Sequence, residues 1–549
     1  MPYCQECHAE YDFSKDELKF LEKLNLPKSR YCPQCRMRHL MIHRNEKVLY
    51  ARKCDKCHKE ILSVYNVSSQ YIVYCPNCWY NKDWDAIEYG KDFDFNRPFF
   101  EQYFELKPKT PHLALTVDQC ENSDYINQAS FCKNCYILLG GYECENTFYS
   151  VDCQNTKDSS DLLNCIDVEL SYDCVCCEKS YGLQHCLYCY KCTDSFYLKD
   201  CLNCTNCFGC VNLRNKNYYL FNIQVSQEEY NNFLVKFYSD EHFQKQQLEK
   251  YQQIIKQSPN RNVRQKKCEN SSGDELIGCA NCNNCYQLQA GENCQNCIVS
   301  VGSIKDSLDC FVTGFAELLY QVYDTGLQTS RIFFSKHVNT NVYDVYYSDQ
   351  IMNAHDLFGC VNLSGKQYCI LNKQYTKEEY QILFPKIVVH MKDTKEWGDF
   401  FPPSTSPFSY NETVIDEYYP LSKEAAVKHG YGWKEDIPFP KGRGNITREE
   451  ISKNITQVDG SICKKIFTCQ KCERNYKIIP QELVLYKKLN MPIPDLCFYC
   501  RDQARQKNRN PKILFNRQCA KCQKKIQTTY APDRPEIVYC EECYQKEVY

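Results

Sequence analysis

No apolar run in this sequence of 549 residues is long enough to cross a bilayer. The chain opens on Met1-Pro2-Tyr3-Cys4, where a secretory leader would carry an apolar core. A soluble cytoplasmic protein without a membrane partner is expected. Net charge is nearly absent too, at -2, but unevenly composed. Residues 1–80 hold 13 Lys+Arg against 9 Asp+Glu, residues 463–549 hold 18 against 9, and residues 111–225 hold 7 against 14. Basic ends and an acidic middle matter to partners more than their sum. The middle also lacks any long apolar stripe at helical spacing, which argues for strands there.

What is abundant is cysteine, 42 in all. In a reducing compartment these read first as metal ligands and small buried side chains, ahead of a disulfide framework. Sixteen form CxxC knuckles: Cys4/Cys7, Cys32/Cys35, Cys54/Cys57 and Cys75/Cys78, then Cys469/Cys472, Cys497/Cys500, Cys519/Cys522 and Cys540/Cys543, each 465 residues after its counterpart. Two knuckles supply the four thiolates of a closed tetrahedral zinc site. Pairing sequential knuckles gives about four structural Zn²⁺ ions per chain, with interleaved pairing and ligand replacement by His8 or His58 as alternatives. A redox role is disfavoured because a thioredoxin-type CxxC is a single motif in a βαβ unit, and catalytic zinc because four sulfurs leave no vacancy for water.

Basic residues keep the same 465-residue step: Arg36/Arg501, Arg44/Arg509, Lys47/Lys512 and Arg52/Arg517. The six arginines are candidate nucleic-acid contacts, with Tyr31, Tyr50, Phe498, Tyr499 and Phe515 as candidate stacking rings. A solvated basic face and core packing are the plain alternatives.

Between the modules a second register runs. Cys132, Cys153, Cys174 and Ser195 step by 21, as do Cys144, Cys165, Cys186 and Cys207, Cys189 and Cys210, and Asp152, Asp173 and Asp194. A short repeat with strand-like composition predicts a β-helix-like solenoid of about 21 residues per coil, stacked about 4.8 Å apart. The region is duplicated: Phe208-Gly209-Cys210-Val211-Asn212-Leu213 returns as Phe358-Gly359-Cys360-Val361-Asn362-Leu363, with most cysteine columns lost. The repeat thiols read as a buried ladder, as a four-sulfur metal site of Cys186, Cys189, Cys207 and Cys210, or as an iron–sulfur or zinc reservoir. The Asp column could supply a carbohydrate-active row of carboxylates or simply be turn residues.

These signals divide the chain into a double zinc ribbon (1–80), an aromatic linker expected to cap the solenoid start (81–112), solenoid I (113–225), a helix (226–262), solenoid II (263–375), a helix (376–396), a Pro-rich tether (397–460) and a second double ribbon (461–549). Capping boxes at Ser226/Glu229 and Thr376/Glu379 open the helices. The fold expected is mainly β.

Several runs together resemble a known family: Leu496-Cys497-Phe498-Tyr499-Cys500-Arg501, Thr528-Thr529-Tyr530-Ala531-Pro532-Asp533-Arg534-Pro535-Glu536, Tyr539-Cys540-Glu541-Glu542-Cys543, and Asp92-Phe93-Asp94-Phe95-Asn96-Arg97-Pro98-Phe99-Phe100. They are similar to uncharacterised Cys-rich zinc-ribbon proteins of candidate-phylum bacteria. The resemblance spans nearly the whole chain and implies zinc ribbons for the eight knuckles, without an activity. The first module departs from it, with Val64-Tyr65-Asn66-Val67-Ser68-Ser69 in place of the Thr-Tyr-Ala-Pro-Asp-Arg run. The expected function is a non-enzymatic zinc-binding scaffold whose basic ribbons bind RNA, a ribosome or a protein partner. Metal storage and a carbohydrate-active β-helix are the alternatives.

Overall fold

A computed structural model describes every residue except 1, 82, 301 and 453. The described residues are mainly β, with twelve α-helices and a pair of cysteine clusters toward each terminus. They divide into two compact units, neither continuous in sequence. One takes residues 1–114, 263–437 and 511–515, the N-terminal cysteine module with the second repeat. The other takes residues 115–262, 438–510 and 516–549, the first repeat with the C-terminal module.

In the first repeat the strands pair in parallel, with each residue's partner twelve positions on, until an antiparallel hairpin of Tyr219 with Gln224 closes the series. Val117 pairs with Ala129, Asn127 with Leu139, Tyr136 with Phe148, Tyr181 with Thr193 and Thr205 with Asn217. The second repeat mixes steps of 11, 12 and 13, as in Gln265 with Leu276, Ile304 with Ala316 and Ala316 with Thr329. The expected 21-residue step is therefore not the pairing step. The backbone explains both numbers: left-handed φ recurs every third residue, at Asn122, Tyr125, Gln128, Phe131, Asn134 and Ile137. Twelve residues thus make four three-residue sides, and 21 is another multiple of three that advances one full repeat and three further sides.

The residue after each left-handed corner points inward. Cys132, Cys135, Leu138, Cys144, Thr147, Ser150 and Cys153 follow one another along this register, all buried. Three-residue sides leave a narrow interior, which selects Cys, Ser, Thr, Ala, Val and Leu. At the inward Gly141 even a Cβ would come within 2.5 Å of Leu138 Cδ2. Where the second repeat lacks cysteine, Val338, Val342, Val345, Ile351 and Ala354 fill the corresponding core. The thiols therefore act mainly through size, as small apolar groups.

A left-handed corner costs a non-glycine residue about 1–2 kcal/mol, and Asn or Asp least. Asn recurs at these corners, and there its side chain also bonds along the stack: Asn122 Nδ2 donates to Asn134 Oδ1 at 2.8 Å and Asn134 Nδ2 to Asn146 Oδ1 at 3.2 Å. Each backbone ladder bond adds about 0.5–1.5 kcal/mol net, so corner strain is roughly balanced and core burial tips the sum toward folding.

Both capping boxes form. After Ser226 the helix breaks at Asp240, which ends Gln227–Ser239 and caps Glu241–Gln257. Tyr230, Phe233 and Phe237 lay an aromatic face on Phe208 and Phe221, covering the last strands of the first repeat. Lys377–Asp393 covers the second in the same way, with Phe384 packed on Phe358 and Tyr346.

Two expectations about the connecting segments need correction. The aromatic segment 81–112 caps the end of the second repeat rather than a repeat's start: Lys91 N donates to Leu371 O at 3.1 Å, Asn372 Nδ2 to Ala86 O at 3.0 Å, and the Phe99 ring lies 5.1 Å from that of Phe358. The Pro-rich stretch 397–460 is not a free tether. Phe401, Tyr410 and Ile415 are buried in one unit, and Ile451, Ile455 and Val458 join the core of the other. Apolar side chains recur too closely between its prolines for the backbone to stay solvated.

Inward positions should rank by volume rather than by thiol chemistry. Leu198→Ala is expected to cost about 2–5 kcal/mol and Cys201→Val less than about 1.5 kcal/mol, both read as shifts in thermal midpoint. If Cys201→Val proves the more damaging of the two, the size argument fails.

Candidate metal centres and the cations beside them

The first knuckle of each pair is a hydrogen-bonded turn. The residue after its second cysteine takes a left-handed φ and donates its N–H to the first cysteine's carbonyl, as His8 does to Cys4 O at 3.0 Å and His58 to Cys54 O at 2.9 Å. Glu473 and Gln523 hold the same position in the C-terminal module. The two histidines are therefore turn residues, and neither belongs to a cysteine cluster among the described residues. The second knuckle of each pair lies at a helix start, with Cys32, Cys75, Cys497 and Cys540 as N-caps.

These turns bring together Cys4, Cys7, Cys32 and Cys35; Cys54, Cys57, Cys75 and Cys78; Cys469, Cys472, Cys497 and Cys500; and Cys519, Cys522, Cys540 and Cys543. Within each set all sulfurs lie within 4.8 Å of one another, so knuckles pair sequentially and not interleaved. The Cys7–Cys32, Cys57–Cys75, Cys472–Cys497 and Cys522–Cys540 separations are 3.7, 3.8, 3.5 and 3.8 Å. Four thiolates at the usual Zn–S length define a tetrahedron of edge about 3.8 Å. The residues present thus fit a four-sulfur ion.

Backbone N–H groups supply the charge stabilisation thiolates need. Cys32 N points at Cys4 Sγ at 3.4 Å, Cys75 N at Cys54 Sγ and Cys540 N at Cys519 Sγ, both at 3.3 Å. Burial alone would raise the Cys54, Cys469 and Cys519 thiols, but these backbone donors outweigh it and bring each to about 6.

Cys186, Cys189, Cys207 and Cys210 are not brought together as a site. No four-sulfur group outside the knuckles occurs among the described residues. They point into the narrow interior and donate S–H to carbonyls: Cys186 to Gln184 O at 3.4 Å, Cys189 to Leu187 O at 3.6 Å, and Cys207 and Cys210 to Thr205 O and Phe208 O, both at 3.2 Å.

The Asp column does not form a row either. Asp152, Asp173 and Asp194 all take left-handed φ, and their 21-residue spacing puts them on different sides of a ladder whose repeat is twelve. Asp173 accepts from Arg505, at 3.5 Å, and lies 2.7 Å from His185 Nδ1. Burial would raise its pKa, but these two partners hold it near 2.

Three of the six candidate arginines, Arg36, Arg44 and Arg501, are buried inside the fold. Arg36, fully buried, meets Asp309 through Nε at 2.6 Å and Glu17 through Nη2 at 3.2 Å, and donates from Nη1 to Tyr31 O. Arg501 repeats this in the other unit, with Nε on Asp161 at 2.8 Å and Nη1 on Leu496 O at 2.7 Å. Arg505 joins it on Asp161 at 2.7 Å. Each of these helices thus locks a cysteine module to a corner aspartate of the repeat in its own unit. Arg44 bonds Asp324 at 2.8 Å and Glu46, Arg52 bonds Asp55 at 2.9 Å, Arg517 donates to Ala531 O and Glu536 O, and Arg509 donates to Gln506 at 3.1 Å. The expectation of a phosphate-facing surface is corrected for Arg36, Arg44 and Arg501, whose guanidinium groups are paired with carboxylates inside the fold; Arg52, Arg509 and Arg517 stay half-buried beside their partners. Of the candidate stacking rings, Tyr50 and Phe498 are buried.

Sequence reasoning did not single out Asp161 and Asp309, which receive the arginines. They lie 148 residues apart, off the 150-residue step of the duplication, so no repeat signal marked them. The same reasoning also missed Glu482, which accepts from Tyr149 at 2.8 Å and Tyr486 at 2.6 Å.

No family model matches the chain, and no curated protein is similar to it.

Two outcomes follow. Arg36→Ala strands a buried Asp309, whose pKa burial already pushes to about 6 against the pull of Arg36. A loss of about 3–5 kcal/mol is expected, partly recovered by adding Asp309→Asn, as read from thermal midpoints. Burial also raises Glu482 to about 7. A carboxyl whose folded pKa exceeds its unfolded one stabilises below the unfolded value, and that contribution is lost as pH rises from about 4.5 to 7. Glu482→Gln should therefore gain in thermal midpoint relative to wild type at pH 8 compared with pH 5, and an equal difference at both pH values would refute this.

Proposed function

We propose that this protein is a non-enzymatic scaffold held together by structural zinc. In this reading each unit is a β-solenoid with coils of eleven to thirteen residues, clasped by a double zinc ribbon. The single observation that carries it is the pairing of closed four-cysteine sets with helices whose buried arginines, Arg36 and Arg501, bind a repeat aspartate. Four sulfurs per set leave no position for water, so the ion holds the fold and activates no substrate. Zinc fits better than a redox metal because cysteine tetrads on short turns suit an ion without d-electron geometric demands.

The partner of such a scaffold is RNA, a ribosome or another protein. A nucleic-acid contact would fall on cations other than the buried Arg36, Arg44 and Arg501, and Lys507, Lys524 and Lys525 are exposed. No helix among the described residues is long and apolar enough to cross a membrane, and a zinc-thiolate scaffold suits a reducing compartment such as the cytoplasm.

Elemental analysis of the purified chain should find about four tightly held zinc ions. Chelation should expose the ribbons, and with them the apolar faces they cover, to limited proteolysis. Many more ions, exchanging readily, would favour metal storage, and a chelated protein with unchanged protease resistance would sink the structural role.

A further inference from the structure

On one side of the second repeat the corner side chains form a continuous chain of hydrogen bonds. Asn270 Nδ2 donates to Asn281 Oδ1 at 3.0 Å, Asn281 to Asn293 at 3.2 Å, and Asn293 to Asp306 at 2.8 Å. The first repeat carries the same series, from Asn122 through Asn134 and Asn146 to Asp158. In both units a helix of the cysteine module runs near the acidic end of this ladder. In the first-repeat unit it is Pro480–Lys488, and Lys488 Nζ closes onto Asp158 at 2.9 Å.

In the second-repeat unit the counterpart helix is Lys15–Lys23, and Lys23 stands where the other module has Lys488. No ion pair joins Lys23 to Asp306 among the described residues. A groove of about 820 Å³ lies there instead, between the helix face of Asp16, Lys19, Phe20 and Lys23 and the ladder of Asn270, Asn281, Asn293 and Asp306. Ser271, Ser272 and Asn283 extend its polar wall.

The chemistry of the wall selects its occupant. Two carboxylates balance two ammonium groups, and Lys19 is already drawn to Asp16 at 3.5 Å. A phosphate polymer would find no cationic excess. Each amide spends one N–H on the next rung and keeps a second N–H and a carbonyl lone pair. Donors and acceptors therefore alternate along the groove about every 4.8 Å, the strand spacing. Phe20, half-buried against Tyr320, adds one apolar ring.

We propose that this groove binds a neutral oligosaccharide laid along the asparagine ladder. Linear 1→4-linked pyranoses repeat at a similar spacing, present hydroxyls that both donate and accept, and carry C–H faces that pack on an aromatic ring. No bond is made or broken; the site holds the chain. Because neighbouring rungs share one ligand, affinity should rise steeply with chain length until the ladder is filled.

The test titrates the full-length, zinc-loaded protein with maltohexaose, cellohexaose and chitohexaose and with the matching disaccharides, by calorimetry and saturation-transfer NMR. At least one hexaose should bind tenfold or more tightly than its disaccharide. Asn281→Gly and Asn293→Gly keep the left-handed corner while deleting the amide, so they should weaken that binding at least fivefold with zinc content and circular dichroism unchanged. Asn134→Gly, in the ladder that Lys488 closes, should leave it intact. No hexaose binding at millimolar concentration, binding indifferent to the two ladder variants, or preferential capture of poly(U) through the same residues would each overturn the proposal.

Discussion

A left-handed residue at every third position is the constraint from which the repeats follow. It gives four short sides per twelve residues, and the interior they leave takes side chains no larger than Leu and Ile. Cysteine suits that interior by size, and Val, Ile and Ala replace it in the second repeat without change of architecture. The same corners aim asparagines outward in register, so one backbone rule accounts for both the interior thiols and the exterior amide ladder. Because the corner conformation is costly for most residues, the stack holds only where interior burial and ladder bonds act together. Insertions of a single residue, as in the 13-residue steps of the second repeat, are absorbed locally.

The cysteine modules work by a different principle. Their sulfurs converge because CxxC turns close on themselves and helix starts present the second pair. Each module is then tied to its repeat by arginine on buried aspartate. A buried ion pair adds little net stability over an apolar contact of similar size, but removing one partner is severe. Arg36–Asp309 and Arg501–Asp161 are therefore better understood as devices that set which surface meets which.

Much of this was legible in the residues. Knuckle spacing identified all sixteen cluster cysteines, since ligand geometry is local, but left sequential and interleaved pairing both open until the sulfur positions chose the former. Capping boxes located the helices after Ser226 and Thr376 for the same reason. The strand character of the repeats was also readable, yet the pairing step was not, because cysteines at multiples of three produce several apparent periods and only backbone pairing selects twelve. Arg36 and Arg501 stood out as equivalent cations, but a guanidinium awaiting phosphate and one awaiting a buried carboxylate look alike in sequence. Their acceptors lie hundreds of residues away, at corners indistinguishable from other turn aspartates. The Pro-rich stretch misled because proline count was weighed above the apolar residues between the prolines.

The interleaving of the two units also sets a timetable for the growing chain. Asp309 leaves the ribosome 273 residues after Arg36, and Arg501 comes 340 residues after Asp161. At ordinary elongation rates each half-built unit waits on the order of tens of seconds for its clasp. Through that interval the flank of the first repeat that will receive the C-terminal helices stands bare. The nascent polypeptide thus offers chaperones a long, defined window that a chain with neighbouring partners would never open.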